Sequence, residues 1–376
     1  INAMDKKNKN PNVPNLRFLK FNQNYETLQL KNTLKIKSGK DQKQVEVENG
    51  IYNIYGTGGI IGHTNTFLYD KESVGIGRKG TIDKPVYFDQ PFWTVDTLFY
   101  SEIYEGFIPK YIFYLFQTIN WKKYNTSTGV PSLTSSSIEN IEKSFPCYDE
   151  QLKVANFLTM IDMRIETQIK IIELKQSLIK DIEDRILWKT TNTQTKPIRE
   201  FLTEINNKSI IQNQYPLLSS TKKGLFLQTD YFNKEAASSN NIGYKIVHKG
   251  DIIISPQNLW MGNITYNDKF DNGLVSPSYR IYKVKEEYNA FYISRILMSY
   301  RALSLYKNIS EQGASIVRRN LNVDAFNELC FPIPNIKKQD EVGLFLSKLH
   351  QELKCETWIL MQLKSQKNYL LNNMFI

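Results

Sequence analysis

The chain contains two loosely similar copies of one pattern, and this internal duplication constrains its fold more than any other feature. A gapless match at an offset of 188 residues aligns two long segments of helical character, so that apolar positions of one fall on apolar positions of the other. The aligned pairs are Leu158 with Leu346, Ile161 with Leu349, Ile165 with Leu353, Ile172 with Leu360, Ile182 with Leu370 and Ile186 with Met374. Two similar halves that each end in a long helix predict a pseudo-two-fold molecule that reads two sites at a fixed separation.

Short landmarks precede each long segment in the same order. A Gly-small-Ser stretch comes first, a Phe-Pro pair follows, and a glutamine then opens the helix. They are Gly129, Pro131, Ser132, Phe145, Pro146 and Gln151 in the first copy, and Gly313, Ala314, Ser315, Phe331, Pro332 and Gln339 in the second. The repeat therefore includes the entry into each helix as well as the helix itself.

The length and the charge of the chain indicate its size class and its partner. At 376 residues, with 41% apolar and 12% aromatic residues, it can form two or three domains with real cores. The two helical segments are close to neutral, so that +8 of the net charge of +10 lies on the two globular halves. This surplus favours an anionic partner such as nucleic acid. The alternative is a general solubility charge on a lysine-rich chain.

Composition also excludes several classes of protein. Cys147, Cys330 and Cys355 are odd in number and lack CxxC spacing, which predicts reduced, mostly buried thiols. Three distant histidines predict no zinc cluster, and no other pattern indicates a cofactor. No apolar run approaches the ~18 residues of a membrane span, and the start lacks a signal-peptide pattern. We therefore expect no membrane partner and a cytoplasmic location.

The pattern along the chain predicts the order of domains. The β signals broken by glycine lie before each long helix, helical patterns cover residues 108–124 and 286–306, and residues 189–196 suit a linker before Pro197. Apolar residues at alternating spacings of three and four predict a coiled-coil seam. The predicted segments are a polar, proline-containing and loosely held N-terminal arm (1–25), a first domain (26–148), a central long helix (149–190), a second domain (191–336) and a C-terminal long helix (337–376).

No motif in the chain indicates catalysis. Residues 75–80 match GxGxxG, but the segment that follows leads into Pro85 where a dinucleotide-binding unit needs a helix. A glycine turn between strands that displays Arg78 and Lys79 is the better interpretation. The chain has no Walker A sequence and no Asn-Pro-Pro-aromatic motif of amino-methylating enzymes. The sequence thus predicts a non-catalytic protein.

Several predicted loops combine cations, amides and aromatic residues, which suits DNA binding. Arg and Lys bind phosphates or guanine edges, whereas Asn and Gln bind adenine edges. Any one of these residues is more often solvated surface, but their recurrence in both halves favours the set. The candidates are His63, Arg78, Lys79, Lys122, Lys123, Lys222, Lys223, Gln257, Asn258, Trp260, Arg318 and Arg319.

Longer phrases carry a resemblance to a known family. They are residues 76–81 (IGRKGT), 91–99 (PFWTVDTLF), 157–162 (FLTMID) after Phe-Pro-x-x-x-x-Gln, 250–255 (GDIIIS), 312–315 (QGAS) and 363–375 (LKSQKNYLLNNMF). With these phrases the chain resembles the specificity subunits of type I restriction-modification systems over nearly its whole length. The resemblance implies an α+β fold: two pseudo-symmetric, mixed α/β target-recognition domains joined by two long helices that form an antiparallel coiled coil.

The resemblance also implies a function and partners. Each domain would read one half of a split, asymmetric sequence in double-stranded DNA. Two methyltransferase subunits would use S-adenosylmethionine to methylate adenine, and motor-nuclease subunits would join them for restriction, so the chemistry lies outside this chain. The helices would act as a ruler, since half-sites lie about 34–36 Å apart on one face of DNA and a helix of this length spans roughly 55 Å. The alternatives are a coiled-coil adaptor without DNA specificity and a two-domain enzyme with an unrecognised cleft.

Antiparallel pairing would bring two charges together in the seam. If Leu158 lies opposite Met374, Lys175 falls opposite Thr357, one residue from Glu356. We predict that Lys175 and Glu356 approach each other and fix the register of the helices, because opposite charges are stranded when the register slips. The alternative is that both side chains extend into solvent and never meet.

Overall fold

A computed structural model describes residues 2–3, 13–222, 224–231, 240–312 and 319–376. The chain divides into two compact units. Unit 1 comprises Ile1–Ile169 and Trp358–Ile376, and unit 2 comprises Lys170–Thr357. Each long helix therefore contributes one part to each unit.

Unit 1 is built mainly from antiparallel strands, with two short helices before the first long one. Its elements are β1 Asn2–Ala3, β2 Leu16–Arg17, β3 Glu26–Gln29, β4 Leu34–Ser38, β5 Tyr52–Gly56, β6 Gly59–Thr64, β7 Ser73–Gly77, β8 Val86–Phe88, β9 Phe92–Thr94, β10 Leu98–Ile103, α1 Pro109–Thr118, α2 Ser135–Glu139, β11 Glu142–Phe145 and the first part of α3 Tyr148–Lys189. A four-stranded antiparallel sheet has the order β4-β10-β7-β8, and β5, β6 and β9 form a second sheet. Strand β11 pairs with β3.

Unit 2 repeats this plan. Its elements are β12 Thr193–Pro197, α4 Ile198–Phe201, β13 Leu202–Ile205, β14 Leu218–Thr221, β15 Gly224–Leu227, α5 Gln228–Tyr231, β16 Lys245–His248, β17 Ile252–Ile254, β18 Ile264–Tyr266, β19 Asn272–Val275, β20 Arg280–Val284, α6 Ala290–Leu297, α7 Tyr300–Asn308, β21 Ser310–Gln312, β22 Arg319–Leu321, α8 Val323–Glu328, β23 Cys330–Pro334 and the first part of α9 Ile336–Met374. The four-stranded antiparallel sheet β13-β20-β17-β18 matches that of unit 1, and β23 pairs with β12 as β11 pairs with β3.

The core of each unit lies where a short helix meets the sheet and the long helices. Helix α1 buries Tyr111, Ile112, Leu115 and Phe116, which recur at the spacing of one helical face. These residues share one apolar cluster with β7 and with the start of α3. Helix α6 does the same in unit 2 with β17 and with Leu346 of α9. Burying each large apolar side chain stabilises the fold by about 1.5–3 kcal/mol.

The long helices run antiparallel within each unit. In unit 1, Lys367 Nζ lies 2.6 Å from Asp162 Oδ1. In unit 2, His350 Nε2 lies 2.7 Å from Glu183 Oε1, so a later residue of α3 meets an earlier residue of α9. Buried seam residues at the predicted spacing, such as Leu158 and Leu346, are fully inaccessible to solvent. The predicted fold class is confirmed: α+β, with two pseudo-symmetric mixed domains and two long helices in an antiparallel coiled coil. No helix among the described residues has the length and apolar content of a membrane span.

Four local predictions were wrong. The free thiols of Cys147, Cys330 and Cys355 are exposed rather than buried. The segment predicted as a linker forms β12, whose backbone pairs with β23. The part of the predicted loose arm around Arg17 is held in the core of unit 1, because the Arg17 guanidinium donates to both oxygens of Glu150, at 2.8 and 2.6 Å. The fourth error concerns the Phe-Pro landmark of the second copy, in which Pro332 was matched to Pro146. The structural equivalent of Pro146 is Pro334, because each of these prolines lies five residues before the glutamine and accepts a hydrogen bond from its side chain.

The two predicted helical patterns are each broken once. Helix α1 ends at Thr118 and a 3-10 helix follows at Trp121–Tyr124. In unit 2 the break falls at Met298 and Ser299, where the Ser299 hydroxyl caps α7 by accepting a hydrogen bond from the backbone of Ala302. Capping by serine favours a new helix start over a continuous helix.

Candidate nucleic-acid interface

In unit 1, strand β7 leads into a tight turn formed by residues 78–80, here called turn 1. A Cβ atom at Gly77 would lie 1.9 Å from the carbonyl oxygen of Thr81, and Gly80 has a φ of +86°, so both positions require glycine. The backbone N–H of Arg78 donates to the carbonyl of Thr97 at 2.7 Å. The chain then continues into β8, which confirms a turn between strands in place of a dinucleotide-binding motif.

A second segment, residues 126–133, lies against turn 1 and is called loop 1. The N–H of Gly80 donates to the carbonyl of Pro131, and the N–H of Leu133 donates to the carbonyl of Arg78, both at 2.9 Å. The side chain of Asn125 shapes loop 1, because its Oδ1 accepts hydrogen bonds from the N–H groups of Ser127 and Ser132. Loop 1 contains the Gly129 landmark, so the first Gly-small-Ser stretch is the partner of turn 1.

Four predicted DNA-binding residues come together around turn 1. Lys79, Lys122 and Lys123 are exposed, and Arg78 is half-buried with its Nη1 3.3 Å from the carbonyl of Asp96. Buried Trp121 anchors the lysine pair, since its indole N–H donates to the carbonyl of Phe116 at 2.9 Å.

A cavity of about 510 Å³ lies between turn 1 and Lys122. Gly80, Lys84, Lys122 and Pro131 are among the residues that line it. Lys122 also lies 3.4 Å from Asp83, at an exposed position where such a pair contributes little stability. Sequence reasoning missed Lys84, although its place three residues after the IGRKGT phrase (residues 76–81) was a usable signal.

His63 lies apart from turn 1 in the fold. It is an exposed residue of β6, in the three-stranded sheet, and pairs with Asn53 of β5. Its carbonyl accepts a hydrogen bond from the N–H of Val47 at 2.9 Å. His63 therefore remains a prediction on a separate surface strand.

In unit 2, strand β17 leads into residues 255–262, here called turn 2. The carbonyl of Asn258 accepts hydrogen bonds from Met261 and Asn263, and Gly262 closes the turn with a φ of +91°. Buried Leu259 anchors the turn, which leaves Gln257 exposed and Asn258 and Trp260 half-buried. Turn 2 occupies the same place as turn 1, between the last two strands of the sheet.

Arg319 pins turn 2 from a second segment. Its N–H donates to the carbonyl of Gln257 at 3.2 Å, as Leu133 donates to Arg78 in unit 1. Its guanidinium donates to the hydroxyl and the carbonyl of Ser310 and lies 5.8 Å from the centre of the Trp260 ring. These contacts give Arg319 a structural role in holding turn 2. Arg318, also predicted to bind DNA, lies outside the described residues.

Lys222 is a further exposed cation in unit 2. It follows β14, whose hairpin with β15 is held to β18. The hydroxyl of Ser220 donates to Asn263 Oδ1 at 3.0 Å and lies 2.8 Å from the hydroxyl of Thr265. Lys222 therefore lies on the hairpin that flanks turn 2. Lys223 lies outside the described residues.

The Gly250–Asp251 phrase is a structural turn. Gly250 has a φ of +93°, and the buried carboxylate of Asp251 accepts a hydrogen bond from the N–H of His248 at 2.7 Å. Burial raises the pKa of the Asp251 carboxyl, against the opposing effect of this hydrogen bond. The described residues contain no group of three side chains that could hold a metal ion.

The two units thus present the same construction with different side chains. Each has a turn after the inner strand of the sheet, pinned through the backbone by a second segment. Turn 1 and its surroundings carry cations, whereas turn 2 carries two amides and an indole. Turns of this kind suit contact with phosphates and base edges.

Comparison with known proteins shows a similarity to one family over the first part of the chain. Residues 22–176 match the family model described as the type I restriction modification DNA specificity domain. This part of the chain is therefore similar to the DNA specificity domain of type I restriction-modification systems. No curated protein sequence matches the chain.

Two solved structures from type I restriction-modification systems share the fold. The S subunit of a type I restriction-modification system from M. genitalium has a TM-score of 0.62 at 17% identity, over 97% of this chain and 99% of that chain. A structure described for complex assembly and conformational transition of the type I R-M system has a TM-score of 0.55 at 10% identity, over 93% and 96%. At these identities the likeness shows the fold alone.

Proposed function

We propose that this chain is a type I specificity subunit, which reads a split target in double-stranded DNA, one half-site with each unit, and directs adenine methylation and restriction by partner subunits. One observation carries the proposal. Each unit has a turn at the corresponding edge of its four-stranded sheet, and in both units a second segment holds this turn through backbone hydrogen bonds. A duplicated reading device with different side chains in each copy suits a target with two unlike halves. The proposed recognition domains are residues 26–148 and 191–336.

The chemistry of the turns suggests what each unit contacts. Arg78 and Lys79, with the lysine pair at positions 122 and 123, would neutralise phosphates or bind guanine edges in the first half-site. Gln257 and Asn258 would bind base edges in the second, where an amide makes two hydrogen bonds to adenine. Lys222 would contact a phosphate beside them.

Partner docking is supported by exposed apolar residues on the long helices. In unit 1, Met160 and Met163 are 55% and 60% exposed and line a groove of about 480 Å³ with Ile359. In unit 2, Leu174 and Leu178 are 71% and 58% exposed. Clustered exposed apolar residues mark protein interfaces. We propose one methyltransferase subunit on each of these surfaces, with motor-nuclease subunits joining the resulting complex.

The decisive experiment combines the purified chain with its cognate methyltransferase subunits and S-adenosylmethionine. Single-molecule sequencing of the treated DNA should show methylated adenines at one split sequence. The chain alone should neither methylate nor cut DNA. Methyl transfer by the pure chain, or methylation without a split target, would contradict the proposal.

A further inference from the structure

Gln151 makes a three-way connection at the start of α3. The side chain is 2% exposed, and its Nε2 donates to the carbonyl of Pro146 at 3.1 Å. Its Oε1 accepts a hydrogen bond from the backbone N–H of Ile108 at 3.1 Å. Pro146 follows the end of β11 and Ile108 is the N-cap of α1. One amide therefore joins the long helix to two elements of the domain in unit 1.

Gln339 makes the same connection at the start of α9. The side chain is 1% exposed, and its Nε2 donates to the carbonyl of Pro334 at 2.8 Å. Its Oε1 accepts a hydrogen bond from the backbone N–H of Asn289 at 3.0 Å, and Asn289 is the N-cap of α6. The two units thus repeat one hydrogen-bond pattern atom for atom.

The chemistry of this connection requires glutamine. A half-buried N–H group and a buried carbonyl both have to find partners here, so the joining side chain has to donate and accept at once. Glutamine does both at this length, whereas glutamate accepts only when ionised and methionine offers neither bond. The motif Pro-x-x-x-x-Gln therefore encodes a fixed junction between a domain and its helix.

We propose that Gln151 and Gln339 are positioning residues for target recognition, which set how strictly the spacer between the half-sites is measured. The inference rests on the proposed function. A rigid junction holds the reading turns of a unit at one orientation to its long helix. Both glutamines lie on elements other than turn 1 and turn 2, so loosening a junction should widen spacer tolerance and leave the base preference of the half-site unchanged.

The test uses the complex of the chain with its methyltransferase subunits and three DNA targets. One target has the spacer found by methylation mapping, and the others have spacers one base pair shorter and longer. The variants are Gln151→Glu, Gln339→Glu and, without a buried charge, Gln151→Met and Gln339→Met. Gln351→Glu, at an exposed position of α9, makes the same change away from any junction.

The junction variants should lower the ratio of methylation rates between the natural and altered spacers by about tenfold, the effect of one lost buried hydrogen bond. The Glu variants should regain part of this ratio as the pH falls, because a protonated carboxyl donates to the proline carbonyl again. Gln351→Glu should leave the ratio unchanged.

A purely structural role predicts a different result. If the rates on all three targets fall together with the melting temperature, or if the variants fail to fold or keep the natural ratio, the positioning role is wrong. A wild-type complex that ignores the spacer would instead overturn the proposed function.

Discussion

Glu183 in unit 2 offers the sharpest test of how the long helices hold a recognition domain. It lies on α3 and is 6% exposed. Arg295 of α6 donates to both carboxylate oxygens, at 2.6 and 2.8 Å, and His350 of α9 lies 2.7 Å from Oε1. Burial alone would raise the pKa of the Glu183 carboxyl, but hydrogen bonds from His350 and Arg295 outweigh burial and hold the pKa below its usual value.

Changing Glu183 to Gln should strongly destabilise unit 2. The change removes the charge that compensates the largely buried guanidinium of Arg295, whose side chain is 18% exposed. Breaking a buried pair by removing one partner costs about 3–5 kcal/mol of unfolding free energy. Since about 2–4 °C of melting temperature corresponds to each kcal/mol in a domain of this size, the transition of unit 2 should fall by about 6–20 °C.

Urea unfolding, with hydrogen exchange at the amides of α6 to assign the transition to unit 2, measures this loss. Asp181→Asn is the matched control, because Asp181 pairs with Arg185 on the same helix at 3.0 Å with side chains that are 55% and 69% exposed. An exposed pair at this spacing contributes about 0.3–0.5 kcal/mol. If Glu183→Gln costs less than about 1 kcal/mol, the cluster does not hold the domain.

The lowered pKa of Glu183 also predicts a pH dependence. A carboxyl with a depressed folded-state pKa contributes stability above its ordinary pKa of 4.5, and this contribution is lost as the pH falls through the folded-state value. The free energy of unfolding of wild-type unit 2 should therefore decrease more between about pH 5 and about pH 3 than that of the Glu183→Gln variant does. Parallel curves for the two proteins would contradict this origin of the stability.

Three further outcomes test the interface, the seam and the modules. Changing Arg78 and Lys79 together to Ala should weaken DNA binding by the complex and flatten the slope of log affinity against log salt by about one or two units, measured by anisotropy; an unchanged slope would remove turn 1 from the interface. Lys175 Nζ lies 2.8 Å from Glu356 Oε1. In a double-mutant cycle of Lys175→Met and Glu356→Leu, the double variant should therefore lose less unfolding free energy than the two single variants lose together; strictly additive losses would mean that the pair does not fix the register. Exchanging residues 26–145 for the matching region of a known specificity subunit should change one half of the methylated sequence, and a change in both halves would contradict modular recognition.

The sequence predicted the long helices well because their signal is periodic and local. Apolar residues at spacings of three and four define the seam, and the approach of Lys175 to Glu356 follows from antiparallel geometry alone. The turn at Arg78 was also predictable, since the glycines around it admit few other conformations. These features depend on neighbours in sequence or on one symmetry rule.

The errors share a different origin. Arg17 lies in the core of unit 1 because of Glu150, which is distant in sequence, so a polar, proline-containing segment gave a false signal of a loose arm. The segment before Pro197 is a strand because β23 supplies its hydrogen bonds. The role of Arg319 in holding turn 2 likewise depends on Ser310 and on the carbonyl of Gln257. Tertiary partners decide these cases, and a single sequence does not display them.

The difference between the two units shows what the duplication preserves. Tyr114 and Arg295 both stand six residues after the N-cap of their short helix, and each contacts a carboxylate of a long helix, Asp162 in unit 1 and Glu183 in unit 2. The two units therefore use a different pair of side chains at this position, because a residue that binds another side chain can be replaced together with its partner. Gln151 and Gln339 bind a backbone carbonyl, which every residue supplies, and a backbone N–H, which every residue except proline supplies. These glutamines therefore have no partner side chain to change with. Backbone-directed contacts therefore keep the repeat visible at the helix entries, while the reading turns are free to diverge.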